Sequence, residues 1–288
     1  MKIDNRGRNS LFYLKQTDLR LFTIGNNPEF IELSNPMYEH EIKAMLQAAS
    51  AAGDIQREMR KEILNIETKS DASPVTQVDK RCEQIIRDTI HKQFPSDGFL
   101  GEEYGSDEGS SGRKWIIDPL DGTRPYIHNI PTHSVLIALE EEGALVAGCM
   151  HFPALNEMCW AGKGSGAFLN NNRIHVSHTA HMNEIFGTGF GFVEQADTRN
   201  AAQLLMLMRQ WNYAYGFMDA YTYRCIAAGG VDVCVNLLDK PWDCAAAACI
   251  ITEAGGRFSD ITGKQTIYNG SCIISNGLVH DAVVEYFS

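Results

Sequence analysis

No run in the 288 residues approaches the ~18 apolar residues of a membrane-spanning helix. The opening stretch "MKIDNRGRNS" lacks the apolar core of a signal peptide. Basic residues are the minority, 25 Lys and Arg against 36 Asp and Glu, for a net charge of −11. No Lys/Arg cluster stands out, and phosphate backbones need one, so no nucleic-acid partner is expected. No C-x-x-C pair occurs among Cys82, Cys149, Cys159, Cys225, Cys234, Cys244, Cys249 and Cys272. Most lie among apolar residues, as in "CAAAAC" from Cys244 to Cys249. The expectation is therefore buried free thiols in a reducing compartment, in a soluble, cytoplasmic protein with no membrane partner. Repeats and low-complexity segments are also missing.

What is present is ordinary globular composition, 44% hydrophobic and 21% charged. That excludes disorder, collagen and coiled coil. The length suits one large domain or two modest ones. Residues 1 to 34 read as an N-terminal extension without strong signals. Residues 35–182 and 183–288 read as two subdomains, divided where "HTAHMNE" interrupts the pattern.

From Pro36 to about Ile66 the apolar positions Ile42, Met45, Leu46, Ala49, Ala52, Ile55, Met59 and Ile63 fall at helical spacing, with a break possible near Gly53. A second helix is expected over about Val78 to Gln93, with Cys82, Ile85, Ile86 and Ile90 on one face. "WIID" reads as a short strand that stops at Asp118, followed by a turn and a short helix. Strands are expected near Ser134–Glu141, Ala144–Phe152 and Glu157–Ala161, then a hairpin in "GKGSGAFLNNNRIHVS". In the second half, strands and helices alternate irregularly. The Ala-rich stretch Asp243–Ala254 reads as a helix closed by Gly255 and Gly256. Mixed elements without regular βαβ alternation point to a layered α+β fold.

The chemistry concentrates between Gly101 and Pro131. Asp118 and Asp121 flank Pro119 and Leu120 and are followed by Gly122 and Thr123. Two carboxylates on one tight turn stay ionised only if solvated or bound to a cation. Proline stiffens the turn and glycine permits unusual dihedrals. Every candidate ligand from Asp118 to Thr123 is an oxygen atom, which favours a hard cation such as Mg²⁺ over Zn²⁺. A helix starting near Gly122 would present N–H groups to an anion. Together these suit metal-assisted hydrolysis of a phosphate ester. A plain acidic surface turn with a helix cap also fits this stretch by itself, and Glu102 and Glu103 alone carry little information.

"GEE" at 101–103, "WIIDPLDGT" at 115–123 and "PWDCAAAACIITEAGG" at 241–256 resemble the signatures of the inositol monophosphatase family, Mg²⁺-dependent and often lithium-sensitive phosphomonoesterases. The resemblance runs from about residue 36 to 288. It implies a layered αβαβα sandwich and a homodimer. It also implies two or three Mg²⁺ ions held by Glu102, Asp118, the Leu120 carbonyl, Asp121 and Asp243. Thr123 and Asp79, the latter from the "TQVD" segment, would activate the attacking water, with Glu102 also beside it. The amides of Gly122 and Thr123 would contact phosphate. The charge count agrees: four carboxylates and a phosphate monoester would repel one another without divalent cations. Asp79 and Asp243 are also good residues for a helix N-terminus.

Family members act on inositol phosphates, histidinol phosphate, fructose bisphosphate or adenosine 3′,5′-bisphosphate. Asn236 stands where inositol phosphatases have a Glu that contacts ring hydroxyls; an amide can still bind a hydroxyl, so Asn236 is expected as a substrate contact. Asp219, in "GFMDAYTY", resembles an Asp of the histidinol-phosphate branch and would suit an ammonium group. It could equally cap the next helix. "PTHSVLIAL" leans towards the same branch. The expected substrate is histidinol phosphate, with inositol 1-phosphate as the alternative. The two bisphosphates, or a silent sugar-phosphate binder, stand further off. Arg124 could neutralise phosphate, face a dimer partner or be solvated. His175, His178 and His181 are expected to be exposed rather than ligands. "GKGSGA" lacks the ending of a phosphate loop.

Overall fold

The computed structural model describes residues 37–60, 66–68, 74–216 and 219–288. The expected N-terminal extension, 1–34, and the end of the first expected helix lie outside the described residues.

Helix α1 (Glu39–Met59) is followed by a small antiparallel ribbon of β1 (Ile66–Thr68) and β2 (Pro74–Thr76), then α2 (Gln77–His91). Gly53 does not interrupt α1. A Cβ there would fall 2.4 Å from His151 Nε2, so glycine permits a close approach of helix to sheet. Next come β3 (Gly98–Gly101), β4 (Gly105–Asp107), β5 (Arg113–Asp121) and the five-residue α3 (Thr123–Ile127). Strands β6 (Ser134–Glu141), β7 (Ala144–Phe152), β8 (Glu157–Gly162), β9 (Gly166–Leu169) and β10 (Asn172–Ile174) complete an eight-stranded sheet of order β10-β9-β8-β7-β6-β5-β3-β4. Only β3 and β5 run parallel within it.

The second half supplies β11 (Phe186–Phe190), α4 (Arg199–Met208), β12 (Tyr213–Tyr215), α5 (Asp219–Ala227), β13 (Val233–Asn236), α6 (Pro241–Glu253), β14 (Arg257–Ser259), β15 (Cys272–Ser275) and α7 (His280–Glu285). Its five strands are ordered β12-β11-β13-β15-β14. Alternation along β13 and β15 shows how this sheet serves two cores. Cys234, Cys272 and Ile274 pack with α5 and α6, while Val233, Val235 and Ile273 pack with α4 and α7.

Helix α6 therefore lies between the sheets, with α1 and α2 on the far side of the large sheet and α4 and α7 beyond the small one. This is the αβαβα sandwich. A helix covered on both sides must be apolar all round and narrow. Ala245 to Ala248 meet that need: a Cβ on Gly148 of β7 would fall 2.6 Å from the Ala246 carbonyl oxygen. The helix closes in a Schellman motif. Gly255 has φ +91°, and the N–H groups of Gly256 and Gly255 donate to the Ile251 and Thr252 carbonyls at 2.8 and 3.1 Å.

All eight cysteines are free thiols, and all but Cys225 are buried. No helix among the described residues is long and apolar enough to cross a membrane.

Candidate active site

Strand β5 does not stop at Asp118 as its hydropathy suggests; it continues to Asp121. The register explains how. Asp118 faces Leu136 of β6, and Asp121 faces Ser134. Three steps along β5 thus match two along β6, so β5 carries one extra residue, a bulge. In a regular strand, residues three apart point to opposite faces. The bulge cancels that, and Asp118 and Asp121 emerge on one face, the side of Leu136 in the core beneath α6.

Neighbouring elements bring further groups there. Strand β3 runs parallel to β5 with Gly101 level with Ile117, so Glu102 leaves the sheet beside Asp118. The Glu102 N–H donates to the Ile117 carbonyl at 3.2 Å. Fully buried Glu83 of α2 accepts from the Glu103 and Tyr104 N–H groups at 2.7 and 3.3 Å, which pins the turn carrying Glu102. A Cβ on Gly101 would fall 2.0 Å from Glu83 Oε1, so a side chain there would displace the Glu83 carboxylate. Asp79, buried one turn earlier on α2, accepts from the Thr123 hydroxyl at 3.3 Å. That hydroxyl is also 3.1 Å from the Leu120 carbonyl oxygen. Gly122 precedes α3 with φ +74°, the left-handed conformation that glycine tolerates.

From the other half, Pro241 starts α6 and Asp243 Oδ2 accepts from the Lys240 N–H at 2.9 Å. Asp121 Oδ2 accepts from Ser134 Oγ at 2.9 Å and from the Ala220 N–H at 3.2 Å, tying the bulge to the start of α5. Asp219, the first residue of α5, has φ +44°, strained for a residue with a side chain. Its Oδ2 lies 3.3 Å from where a Gly122 Cβ would stand.

The electrostatics are those of crowded carboxylates. Burial drives the Asp118 carboxyl well above its usual range, with Glu102, Asp121 and Asp243 adding to the effect. Burial raises Asp121 as well, followed by the charge of Asp219, against hydrogen bonds from Ser134 and Ala220. Asp243 is raised by burial and by Asp239 and Asp121. Asp219 is raised by burial, and Arg124 opposes this. These influences place Glu102, Asp118, Asp121 and Asp243 in one electrostatic cluster, with Asp219 at its edge.

Such a cluster fits a hard divalent cation in charge and in donor type, since oxygen is the only ligand atom offered. Among the described residues, no three His, Cys, Asp or Glu side chains are already gathered to hold an ion. Each aspartate is instead engaged by a neighbouring N–H or hydroxyl, Asp118 by the Leu120 N–H at 3.0 Å.

Asn236 is placed differently from the rest. Its Nδ2 donates to Tyr223 Oη at 3.3 Å and Asp239 Oδ1 at 3.2 Å, and its Oδ1 accepts from the Leu238 N–H at 3.1 Å. The side chain is thus engaged within the protein. Asp239 is buried and is itself pushed up to about 6 by burial. His175, His178 and His181 are exposed, and "GKGSGA" forms the turn from β8 to β9. Sequence reasoning missed Glu83, Ser134 and Gln56. Glu83 stands four residues after Asp79 on one helix face, and Gln56 is a polar residue at core spacing on α1, so both left a trace. Ser134 left none.

The model of the inositol monophosphatase family matches residues 37–288. The chain belongs to that family. As an inositol monophosphatase-family protein it is a phosphomonoester hydrolase. It is 37% identical over 242 residues to a histidinol-phosphatase of Chlorobaculum parvum, covering 82% of this chain and 91% of that one. It is 36% identical over 230 residues to a fructose-1,6-bisphosphatase/inositol-1-monophosphatase of Thermotoga maritima, covering 77% and 85%. The crystal structure of the extragenic suppressor protein suhB from Bartonella henselae superposes with a TM-score of 0.80 at 31% identity, covering 86% of this chain and 98% of that one. Inositol monophosphatase-family proteins are generally metal-dependent, in keeping with the carboxylate cluster.

Proposed function

We propose that this enzyme hydrolyses histidinol phosphate with the help of two or three Mg²⁺ ions. The observation that carries the substrate is Asp219, a half-buried carboxylate held at a strained φ beside Gly122 and Asp121. Strain of this kind persists where surrounding structure imposes it, and it concentrates at functional sites. A carboxylate there suits a substrate with an ammonium group next to its phosphate ester. The histidinol-phosphatase relative supports the same reading.

Glu102, Asp118, the Leu120 carbonyl, Asp121 and Asp243 are the groups that would hold the ions. Bound Mg²⁺ would polarise the phosphoryl oxygens, acidify a water and stabilise the leaving oxygen. Thr123 and Asp79 form a hydroxyl–carboxylate pair that accepts the proton of the attacking water. The amides of Gly122 and Thr123 orient the phosphate, and Asp219 orients the amine end. No residue need be phosphorylated. A homodimer and a cytoplasmic location belong to the same reading, the latter supported by the eight free thiols.

Inositol 1-phosphate is the second reading, favoured by the Thermotoga relative at nearly equal identity. The two separate on kcat/KM measured side by side with Mg²⁺. A preference of about 100-fold corresponds to about 2.7 kcal/mol of differential transition-state binding. Histidinol phosphate is expected to win by that margin, and an equal preference for inositol 1-phosphate would overturn the choice.

A further inference from the structure

The bulge in β5 has a support of its own. Gln56 lies on the buried face of α1 and is fully buried. Its Nε2 donates to the Pro119 carbonyl at 3.0 Å and to the Ser134 carbonyl at 3.3 Å. Pro119 lies within the interval where the β5–β6 ladder is interrupted, and Ser134 faces its far end. A buried carbonyl left without a donor costs about 1–3 kcal/mol. One side-chain amide from another layer of the fold satisfies both strands at the irregularity.

The orientation of that amide is set from behind. Gln56 Oε1 is 2.7 Å from His133 Nδ1. An amide oxygen only accepts, so Nδ1 carries the proton. His133 Nε2 is then an acceptor, and Arg60 Nη1, which only donates, lies 3.0 Å from it. Arg60 Nη2 donates to the Ile130 carbonyl at 3.2 Å. Each bond in the series Arg60, His133, Gln56 and bulge therefore has one permitted direction. Flipping the Gln56 amide would set N–H against N–H at His133 and oxygen against oxygen at the bulge.

We infer that Gln56 is a positioning residue for the ion-binding groups, with His133 fixing the orientation of its amide. The two carbonyls it holds belong to Pro119, between Asp118 and Leu120, and to Ser134, whose hydroxyl donates to Asp121. A shift of the bulge would move Asp118, the Leu120 carbonyl and Asp121 together. The inference rests on the reading that these groups bind Mg²⁺.

The test is Mg²⁺ binding by titration calorimetry without substrate, on the wild type, Gln56→Leu and Tyr126→Phe, with melting temperatures alongside. Tyr126 Oη donates to the backbone carbonyl of Gln56 at 2.9 Å, so Tyr126→Phe removes a buried hydrogen bond at the same turn without touching the amide. Gln56→Leu is expected to weaken Mg²⁺ binding about tenfold or more, with kcat recovering at high Mg²⁺. Tyr126→Phe is expected to lower the melting temperature and leave Mg²⁺ affinity unchanged. Wild-type affinity in folded Gln56→Leu would overturn the inference. So would equal weakening in Tyr126→Phe, which would mark general loosening. If Gln56→Leu does not fold, His133→Leu carries the expectation of weakened binding, and wild-type affinity there would overturn it. A wild type that binds no Mg²⁺ would overturn the metal reading itself and this inference with it.

Discussion

The Thr123 hydroxyl lies 3.3 Å from Asp79 Oδ1, joining the turn after β5 to the first turn of α2. A hydroxyl has one proton, which can go to Asp79 or to the Leu120 carbonyl at 3.1 Å, and either way its lone pairs are left to accept. A water placed there can pass a proton to the pair. Thr123→Ala should therefore lower kcat by about 10²-fold, the usual scale for removing a general acid–base group. Thr123→Ser keeps the hydroxyl and should retain most activity. Equal losses in the two variants would point to the methyl group and against proton transfer.

Asp121 makes the opposite demands on stability and activity. Its ionised form is opposed by burial and by Asp219, so Asp121→Asn removes an unfavourable buried charge. The amide oxygen can still accept from Ser134 and Ala220. The variant should melt no lower than the wild type in EDTA, and its kcat should fall about 10³-fold or more, the several kcal/mol a bound metal supplies. Thermal melts with and without Mg²⁺, together with turnover, check both halves. Normal turnover in the folded variant would remove Asp121 from the ion site.

Asp219 should act on the substrate rather than on the chemistry. A hydrogen bond to a charged group is worth about 1.5–3 kcal/mol, or roughly 10- to 150-fold. Asp219→Asn should lower kcat/KM for histidinol phosphate by that order and change inositol 1-phosphate far less. Equal losses would return Asp219 to the role of a residue that starts α5.

Acid should weaken the fold through buried histidine. His280 lies between Ser259 Oγ and Ser275 Oγ, each at 2.9 Å, and burial lowers it from 6.5 to about 4. The unfolded chain takes up this proton near pH 6.5 and the folded chain only near pH 4. Between these values the unfolded state binds more protons, so the contribution is complete above pH 6.5 and lost as pH falls towards 4. His280→Gln should flatten the fall in unfolding free energy between pH 7 and 5 by the order of 1 kcal/mol. Denaturant unfolding at the two pH values measures it, and parallel pH dependence in both proteins would contradict it.

Local chemistry made much of this legible. The Ala-rich run before Gly255 and Gly256 shows a helix, its end and its narrow packing at once. The three motif segments contain every carboxylate of the electrostatic cluster, because each of them lies inside a short contiguous pattern. The bulge was not legible, and β5 was read as ending at Asp118, because Pro119 and the second aspartate look like a stop when β6 is out of view. The support given by Gln56 and Glu83 comes from residues 63 and 20 positions away in sequence. Periodicity marks such positions as buried without saying what they hold. Asn236 was assigned by its place seven residues before Asp243, and only the folded chain shows its amide engaged with Tyr223, Asp239 and Leu238.

The central claim is that the two carboxylates on the β5 bulge, with Glu102 and Asp243, hold Mg²⁺ for phosphate ester hydrolysis. Its most direct measurement is phosphate release from histidinol phosphate by the chelator-treated protein as Mg²⁺ is added back, with Asp118→Asn in parallel. The account predicts no release without metal, saturable recovery with Mg²⁺, and little or none in the variant. Release that persists after chelation, or equal recovery in folded Asp118→Asn, would contradict it.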